Sequence, residues 1–353
     1  MKKHIKRIFL TLIVIIAVAA VGLTVVFHSE IRTLMSLKQM DDHPFYTMTY
    51  YGDYGFDDFL KQGAHSDGDI ENFITHRLLK GLPIKLNVTE GGCSAFTAVN
   101  DNGEHLYGRN FDFTYSPAVL VKTKPKNGYS SISMANLAFA GYTEKYIPKP
   151  KTLSSFLTLA APYLPFDGMN EKGLCVALLA VSEAHPKENS KAVTLNTTTT
   201  IRLLLDKAAN VEQAEKLLKE YNIYFSGGVN CHYLIEDATG KSVLAEYWDN
   251  NVQFVESKEN YQVATNFIEY DGLNIGETGT SNYAKNEFER YDIINTSLAK
   301  SGGGISADNA MALLKSASQK KTQWSIVYNL KTLSGKVCIA NDYSSPYSFD
   351  LKS

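Results

Sequence analysis

The feature that most constrains the fold is a hairpin pattern that follows a pair of glycines. The glycines at 91–92 precede Cys93, and residues 94–99 then alternate between apolar and polar side chains, as in a half-buried strand. Residues 101–103 read Asp-Asn-Gly, a typical hairpin turn, and residues 104–108 return as the partner strand. The pattern predicts an antiparallel sheet with Cys93 at the start of one strand.

The returning strand ends close to Cys93 and brings Arg109 and Asp112 with it. A thiol attacks a carbonyl carbon as the thiolate, so it needs a base or a positive neighbour. If the chain were cut after Gly92, the new α-amino group, with an ordinary pKa of about 7.7–8.0, would lie beside the sulfur as a base. A plain turn with a surface ion pair is the alternative interpretation of the same residues.

Blocks of strands and helices follow one another along the rest of the chain. Strands, then helices, then strands indicate an α+β layered fold with mostly antiparallel sheets. The predicted elements are paired strands at 231–236 with 242–247 and at 324–329 with 336–340, and helices at 200–209, 211–221, 286–298 and 306–316.

Residues 28–92 differ in pattern from the residues after Cys93 and are predicted to be a linker and propeptide-like segment. Residues 93–353 are then predicted to form the main folded domain. Within the upstream segment the expected elements are helices at 28–39, 56–62 and 70–79 and strands at 46–54 and 84–89.

Residues 1–27 are predicted to target a membrane. Residues 2–7 are basic, and the apolar run from Ile8 to Phe27 has about 20 residues, enough to cross a bilayer core as a helix. The expectation is a signal anchor that is retained as a membrane helix and leaves the rest of the chain outside the cytoplasm. Residues 17–19, Ala-Val-Ala, resemble a signal-peptidase site, so a secreted protein is the alternative.

Composition argues against several other functions. The formal net charge of -2 gives no electrostatic case for nucleic-acid binding. The sequence has no CxxC pair, HExxH motif or cluster of metal-ligating residues, so no cofactor or metal is expected. Cys175, Cys231 and Cys338 are predicted to be small buried hydrophobes. A papain-like pair would need His105 or His232 aimed at a cysteine, and both are better explained as strand histidines with satisfied rings.

The segment from Cys93 to Asp112 resembles the start of the mature choloylglycine hydrolase family. That family holds bile salt hydrolases and penicillin V acylases and is related to acid ceramidase-like amidases. The resemblance rests on the cysteine and on Gly-Arg-Asn-Phe-Asp at the family's spacing, and it runs from Cys93 to the end of the chain. Further landmarks are Asp167–Leu174, Val263–Phe267, Glu289–Tyr291 and Trp324–Asn329.

The resemblance implies an N-terminal-nucleophile hydrolase with a four-layer αββα fold. Cys93 would be both nucleophile and base, and Arg109 and Asp112 would tune and hold it. Asn266 would donate a hydrogen bond to the tetrahedral oxyanion, and Arg290 would support the network.

Asn170 and the main chain of Ala180 are secondary candidates for this site. Ala180 stands where bile salt hydrolases carry a second asparagine and penicillin acylases a tyrosine. Without that side chain, a backbone N–H would have to serve, and neither named substrate is favoured.

The implied reaction is hydrolysis of a linear amide in a small N-acyl compound, through an acyl-Cys93 intermediate after autocatalytic exposure of Cys93. An acyltransferase would share that intermediate. A non-catalytic, surface-anchored binding protein on the same fold would be neither cut nor dependent on Cys93. The sequence leaves homo-oligomerisation open.

Overall fold

The computed structural model describes residues 9–11, 26–88, 91–187, 189, 191–270 and 286–352. Within these ranges no helix combines the length and apolar character needed to cross a bilayer. The predicted anchor at 1–27 lies mostly outside the described residues and stays a prediction.

The helices agree closely with the predicted ones, and side-chain caps fix several of their first turns. The side chains of Asn196, Asn210, Asn286 and Ser306 each accept a hydrogen bond from the backbone N–H three residues on. The α-helices are α1 (His28–Ser36), α2 (Phe56–Gln62), α3 (Asp67–Arg77), α4 (Thr197–Lys207), α5 (Val211–Glu220), α6 (Glu287–Ser301) and α7 (Ala307–Ser316).

Short 3-10 helices also occur at Leu137–Ala140, Leu153–Tyr163 and Ser226–Gly228. The strands are β1 (Lys38–Asp41), β2 (Phe45–Thr49), β3 (Gly92–Val99), β4 (His105–Asp112), β5 (Ala118–Thr123), β6 (Ser131–Asn136), β7 (Pro165–Asn170), β8 (Cys175–Ala180), β9 (Thr194–Asn196), β10 (Asn222–Tyr224), β11 (Cys231–Glu236), β12 (Ser242–Trp248), β13 (Asn251–Glu256), β14 (Gln262–Ala264), β15 (Thr322–Asn329), β16 (Ser334–Ile339) and β17 (Asp342–Asp350).

Two large sheets form the centre of the molecule. One has nine strands in the order β1-β2-β5-β6-β7-β8-β11-β12-β13, and the other has six in the order β14-β3-β4-β15-β16-β17. Helices α4 and α5 cover the nine-stranded sheet, while α6 and α7 cover the six-stranded sheet. The sheets face each other, as the hydrogen bond from Tyr107 Oη to Leu234 O (2.9 Å) illustrates. The predicted four-layer αββα fold is confirmed.

The predicted hairpin at Cys93 is also confirmed, as β3 and β4. Cys93 pairs with Phe111, and Ala95 pairs with Arg109. Because side chains alternate along a strand, Cys93 and Arg109 share the face between the sheets, whereas Asp112 lies on the face toward α6 and α7. Strand β4 therefore places Arg109 on one side of the Cys93 main chain and Asp112 on the other.

The segment predicted as a linker is built into the fold. Strand β2 pairs in parallel with β5, from Phe45 opposite Ala118 to Thr49 opposite Lys122. Phe45, Tyr46 and Phe59 are fully buried, and the Tyr54 hydroxyl donates to Asp206 at 2.7 Å. The upstream residues therefore supply core and an edge to the nine-stranded sheet.

The prediction of a strand at 84–89 is wrong for residues 84–88, the part of this range that the structure describes. Residues 84–88 run without strand pairing. Leu86 N–H donates to Glu71 Oε1 at 2.7 Å, and Asn87 N–H donates to Phe139 O at 3.3 Å. Alternation in sequence needs a neighbouring strand edge to become a strand, and these residues bond α3 and the 3-10 helix at Leu137–Ala140 instead.

Candidate active site

The sulfur of Cys93 is buried against a guanidinium. Arg109 Nη2 lies 3.2 Å from Cys93 Sγ and also donates to Leu178 O at 2.9 Å. Arg109 is fully buried, and its Nη1 pairs with the carboxylate of Asp167. Trp324 Nε1 donates to the same carboxylate, so the guanidinium that faces the sulfur is held in one orientation.

The main chain of Cys93 is held by two other side chains. Cys93 N–H donates to Asn266 Oδ1 at 2.8 Å, and Arg290 Nη1 donates to Cys93 O. Arg290 Nη2 donates to Asn266 Oδ1 at 2.8 Å, which joins the two into one network. Asn266 follows β14, an edge strand paired with β3, and Arg290 lies in the first turns of α6. The sheet edge and the helix start therefore meet at Cys93.

Asp112 anchors the helix side of the same network. Its Oδ1 accepts from the Thr322 hydroxyl at 2.5 Å, and its Oδ2 accepts from Gln319 Nε2 at 2.9 Å. Arg290 Nη1 lies 3.7 Å from Asp112 Oδ2. A buried carboxylate with these partners balances the charge of Arg290 beside the Gly92–Cys93 peptide.

Burial is the largest influence on the Cys93 thiol and raises its pKa above the usual value. Arg109 and, more weakly, Arg290 lower that pKa, and Asp112 raises it. Burial by itself lowers the pKa of the Arg109 guanidinium, but Cys93 and Asp167 together raise it by more, so this pKa lies above its usual value. A raised pKa favours the protonated thiol, so attack by the sulfur requires a base.

A pocket opens beside the sulfur between the two sheets. Four phenylalanines form much of its wall, and among its described lining residues there is no Lys, Arg, Asp or Glu. The pocket is lined by Leu86, Val88, Gly91, Cys93, Phe111, Phe113, Phe139, Leu164, Phe166, Leu178, Ala180, Asn196, Thr197, Thr198, Ser226, Val229 and Cys231.

The structure thus brings together all five primary residues predicted from the sequence. The two secondary candidates behave differently. Ala180 lines the pocket, and its carbonyl oxygen accepts from Asn266 Nδ2 at 2.7 Å. Asn170 is not brought to the site, because its side chain bonds the turn after β7 and the end of α4, at Lys172, Leu174, Leu205 and Ala208.

The remaining cysteines and histidines are placed as the sequence predicts. All four cysteines are free and buried, and Cys231 lines the pocket. His232 is fully buried with both ring nitrogens in hydrogen bonds, and His105 lies 3.5 Å from Glu236. Their ring partners are thus groups other than cysteine, as expected for strand histidines.

Asp167 is the residue that sequence reasoning missed. It stands in the landmark segment Asp167–Leu174, and its carboxylate meets Arg109, Trp324 and Tyr328. The available signal was an acidic residue inside an apolar strand pattern, since a carboxylate is rarely buried without partners.

Comparison with known proteins agrees with this geometry. The family described as linear amide C-N hydrolases, choloylglycine hydrolase family, matches residues 93–303. The bile salt hydrolase/transferase of Clostridium perfringens is 27% identical over 199 residues, which are 51% of this chain and 58% of that protein. The chain thus matches less than two thirds of that relative's length.

Two solved structures share the fold. A mutant of the conjugated bile acid hydrolase from Clostridium perfringens superposes with a TM-score of 0.50 and 16% identity, covering 74% of this chain and 92% of the other. The penicillin V acylase from Agrobacterium tumefaciens gives a TM-score of 0.52 and 17% identity, covering 74% and 87%. At these identities the likeness concerns the arrangement of sheets and helices.

Proposed function

The chain belongs to the choloylglycine hydrolase family of linear amide C-N hydrolases, and we propose that it hydrolyses a linear amide after cleavage before Cys93. The observation that carries the proposal is the environment of Cys93. Its sulfur faces Arg109, its nitrogen faces Asn266, its carbonyl faces Arg290, and a pocket opens beside it. The matched family region also begins at Cys93, the residue that cleavage would make N-terminal.

The proposed reaction uses the freed α-amine as the base. The amine takes the thiol proton, the sulfur forms a bond to the amide carbonyl carbon, and Arg109 steadies the developing thiolate. As the C–N bond breaks, the proton passes from the amine to the leaving nitrogen. Water then gives one proton to the freed amine and forms a C–O bond to the acyl carbon, the S–C bond breaks, and that proton passes from the amine to the sulfur.

Asn266 has two parts in this proposal. Its Oδ1 accepts a hydrogen bond from the Cys93 nitrogen, and one N–H of Nδ2 donates a hydrogen bond to Ala180 O. The second hydrogen of Nδ2 remains to donate to the tetrahedral oxyanion. Removing one such donor typically reduces kcat by about 10²–10³-fold.

The pocket supports an uncharged, largely apolar acyl group as the substrate's acid part. Phe111, Phe113, Phe139 and Phe166 form an aromatic wall, and apolar contact contributes roughly 25 cal/mol for each Å² removed from water. A charged acyl group would lose its hydration without gaining an ionic partner from the described lining.

Intact mass and N-terminal sequencing test the cleavage, and amide hydrolysis tests the chemistry. The parent should begin at Cys93 in its catalytic part, whereas Cys93→Ala should stay uncut and inactive. Cys231→Ala is the matched control, because it also removes a buried thiol from the pocket wall. Bile conjugates, penicillin V, N-acyl homoserine lactones and N-acyl amines form the substrate panel. An uncut protein that hydrolyses amides would refute the mechanism.

Acyl transfer is the second candidate, because the bacterial relative is described as a hydrolase/transferase. The two reactions share the acyl-Cys93 intermediate and differ in the acceptor. Adding an amine to the assay and measuring new amide against free acid separates them.

We also propose that residues 1–27 anchor the chain in a membrane with the site outside the cytoplasm. The support is the sequence pattern alone, a basic start followed by an apolar run. The full chain should sediment with membranes and resist extraction at alkaline pH, and a chain that starts at His28 should be soluble.

A further inference from the structure

His232 and Glu246 are buried in the nine-stranded sheet, next to the loop that carries Asn266. Continuing the register of Tyr233 with Ala245 by one residue places His232 on β11 opposite Glu246 on β12. His232 Nδ1 lies 2.9 Å from Glu246 Oε1, and both side chains are fully buried. Neither belongs to the network that contacts Cys93 directly.

The pair reaches the six-stranded sheet through the residue before Asn266. His232 Nε2 lies 2.8 Å from Thr265 O, and because a carbonyl oxygen only accepts, the ring donates there. The Thr265 hydroxyl donates to Glu287 O at 3.0 Å, in the first turn of the helix that carries Arg290. Thr265 is therefore held through its carbonyl by His232 and through its hydroxyl by α6.

Glu246 also holds the far end of the same loop. Its carboxylate accepts the backbone N–H of Glu269 at 3.0 Å and that of Tyr270 at 2.8 Å. The loop that carries Asn266 is thus fixed at Thr265 through His232 and at residues 269–270 by Glu246. The side chain of Asn266 projects from between these two fixed points.

We propose that His232 and Glu246 are positioning residues that set the orientation of Asn266 at Cys93. This inference rests on the proposed amide hydrolysis, because it assigns the pair a part in that reaction through Asn266. Displacement of a reacting group by about 1 Å can lower a rate by about 10²-fold. Loss of the His232 donor is therefore expected to lower kcat and to leave KM nearly unchanged, since the acyl pocket is untouched.

The test is a double-mutant cycle between His232 and Asn266. His232→Leu should lower kcat by about 10- to 100-fold and change KM by less than about threefold. His232→Gln keeps an N–H that can reach Thr265 O and should recover most of kcat. In the Asn266→Ala background, His232→Leu should lower kcat by no more than about twofold. If the two losses multiply in the double variant, the proposal is wrong.

Two further measurements separate this proposal from a folding defect and from the proposed function. His105→Leu is the control on another strand histidine, in β4 of the six-stranded sheet, and should keep the parent kcat. Glu246→Gln tests the pair if His232→Leu fails to fold. A crystal structure of either folded variant should show Asn266 Oδ1 moved out of hydrogen-bond range of Cys93 N. An unchanged 2.8 Å contact would overturn the positioning role, whether or not the parent hydrolyses amides.

Discussion

Replacing Asp167 by Asn removes the charge that balances Arg109. Both side chains are fully buried, and Arg109 also faces Cys93. Asparagine keeps the size and can still accept from Trp324 Nε1, which donates at 3.0 Å in the parent. The change therefore leaves the packing in place and removes the carboxylate charge that pairs with the buried Arg109 guanidinium. Breaking a buried pair from one side costs about 3–5 kcal/mol of unfolding free energy.

The measurement is urea unfolding followed by tryptophan fluorescence and circular dichroism. It is made in the Cys93→Ala background so that the chain stays uncut and unfolds as one piece. Asp308→Asn is the control, because Asp308 and Lys336 form an ion pair of 2.8 Å with side chains 83% and 43% exposed. Exposed pairs of that kind contribute about 0–1 kcal/mol.

A second substitution separates charge from packing. Adding Arg109→Met to Asp167→Asn removes the stranded cation, and the double variant should return to within about 2 kcal/mol of the parent. The same two variants with Cys93 restored should be poor enzymes, because the single variant lacks the carboxylate that orients Arg109 and the double variant lacks the guanidinium that faces the sulfur. A cost below about 1 kcal/mol for Asp167→Asn, equal to the surface control, would refute the buried-pair reasoning.

Three further outcomes are expected from the same structure. Burial raises the pKa of Glu236 well above its usual value, so the fold retains a proton that the unfolded chain loses above about pH 4.3. The unfolding free energy of the parent therefore falls as the pH rises above this point. Measured in urea, the unfolding free energy of Glu236→Gln should increase relative to that of the parent by up to about 1.4 kcal/mol per pH unit. Parallel curves of unfolding free energy against pH would contradict this. Gly91→Ala should slow cleavage before Cys93, measured by mass against time, because its Cβ would lie 2.4 Å from Phe113 Cδ2; a parent-like rate would count against this. After cleavage, residues 28–88 should co-elute with the catalytic part in native size exclusion and separate only in denaturant, because β2 pairs with β5 in the core; separation in native buffer would show that the segment is released.

Local pattern was enough to predict the elements that position the site. The hairpin at Cys93 follows from alternation and a turn whose residues are next to one another in sequence, and α6 and α7 follow from apolar residues at helical spacing. The residues behind the site could not be found this way. Asp167 meets Arg109 across 58 positions, and the partners of Glu246 depend on how two sheets face each other. A side chain that acts only through tertiary contact leaves no periodic signal in the sequence.

The contacts at Cys93 also bear on how cleavage and catalysis can share one site. Its sulfur is held from the space between the sheets by Arg109, and its main chain is held by Asn266 at the sheet edge and by Arg290 from α6. The proposed cut would turn the Gly92 carbonyl into a carboxylate and, on the Cys93 side, would change one atom, the nitrogen, which already donates to Asn266 Oδ1. An amine N–H can make the same hydrogen bond, so the cut chain needs no new arrangement of these side chains. In the proposed mechanism the cut would add a lone pair beside a thiol whose pKa burial has raised, and this lone pair would be the base that the uncut chain lacks.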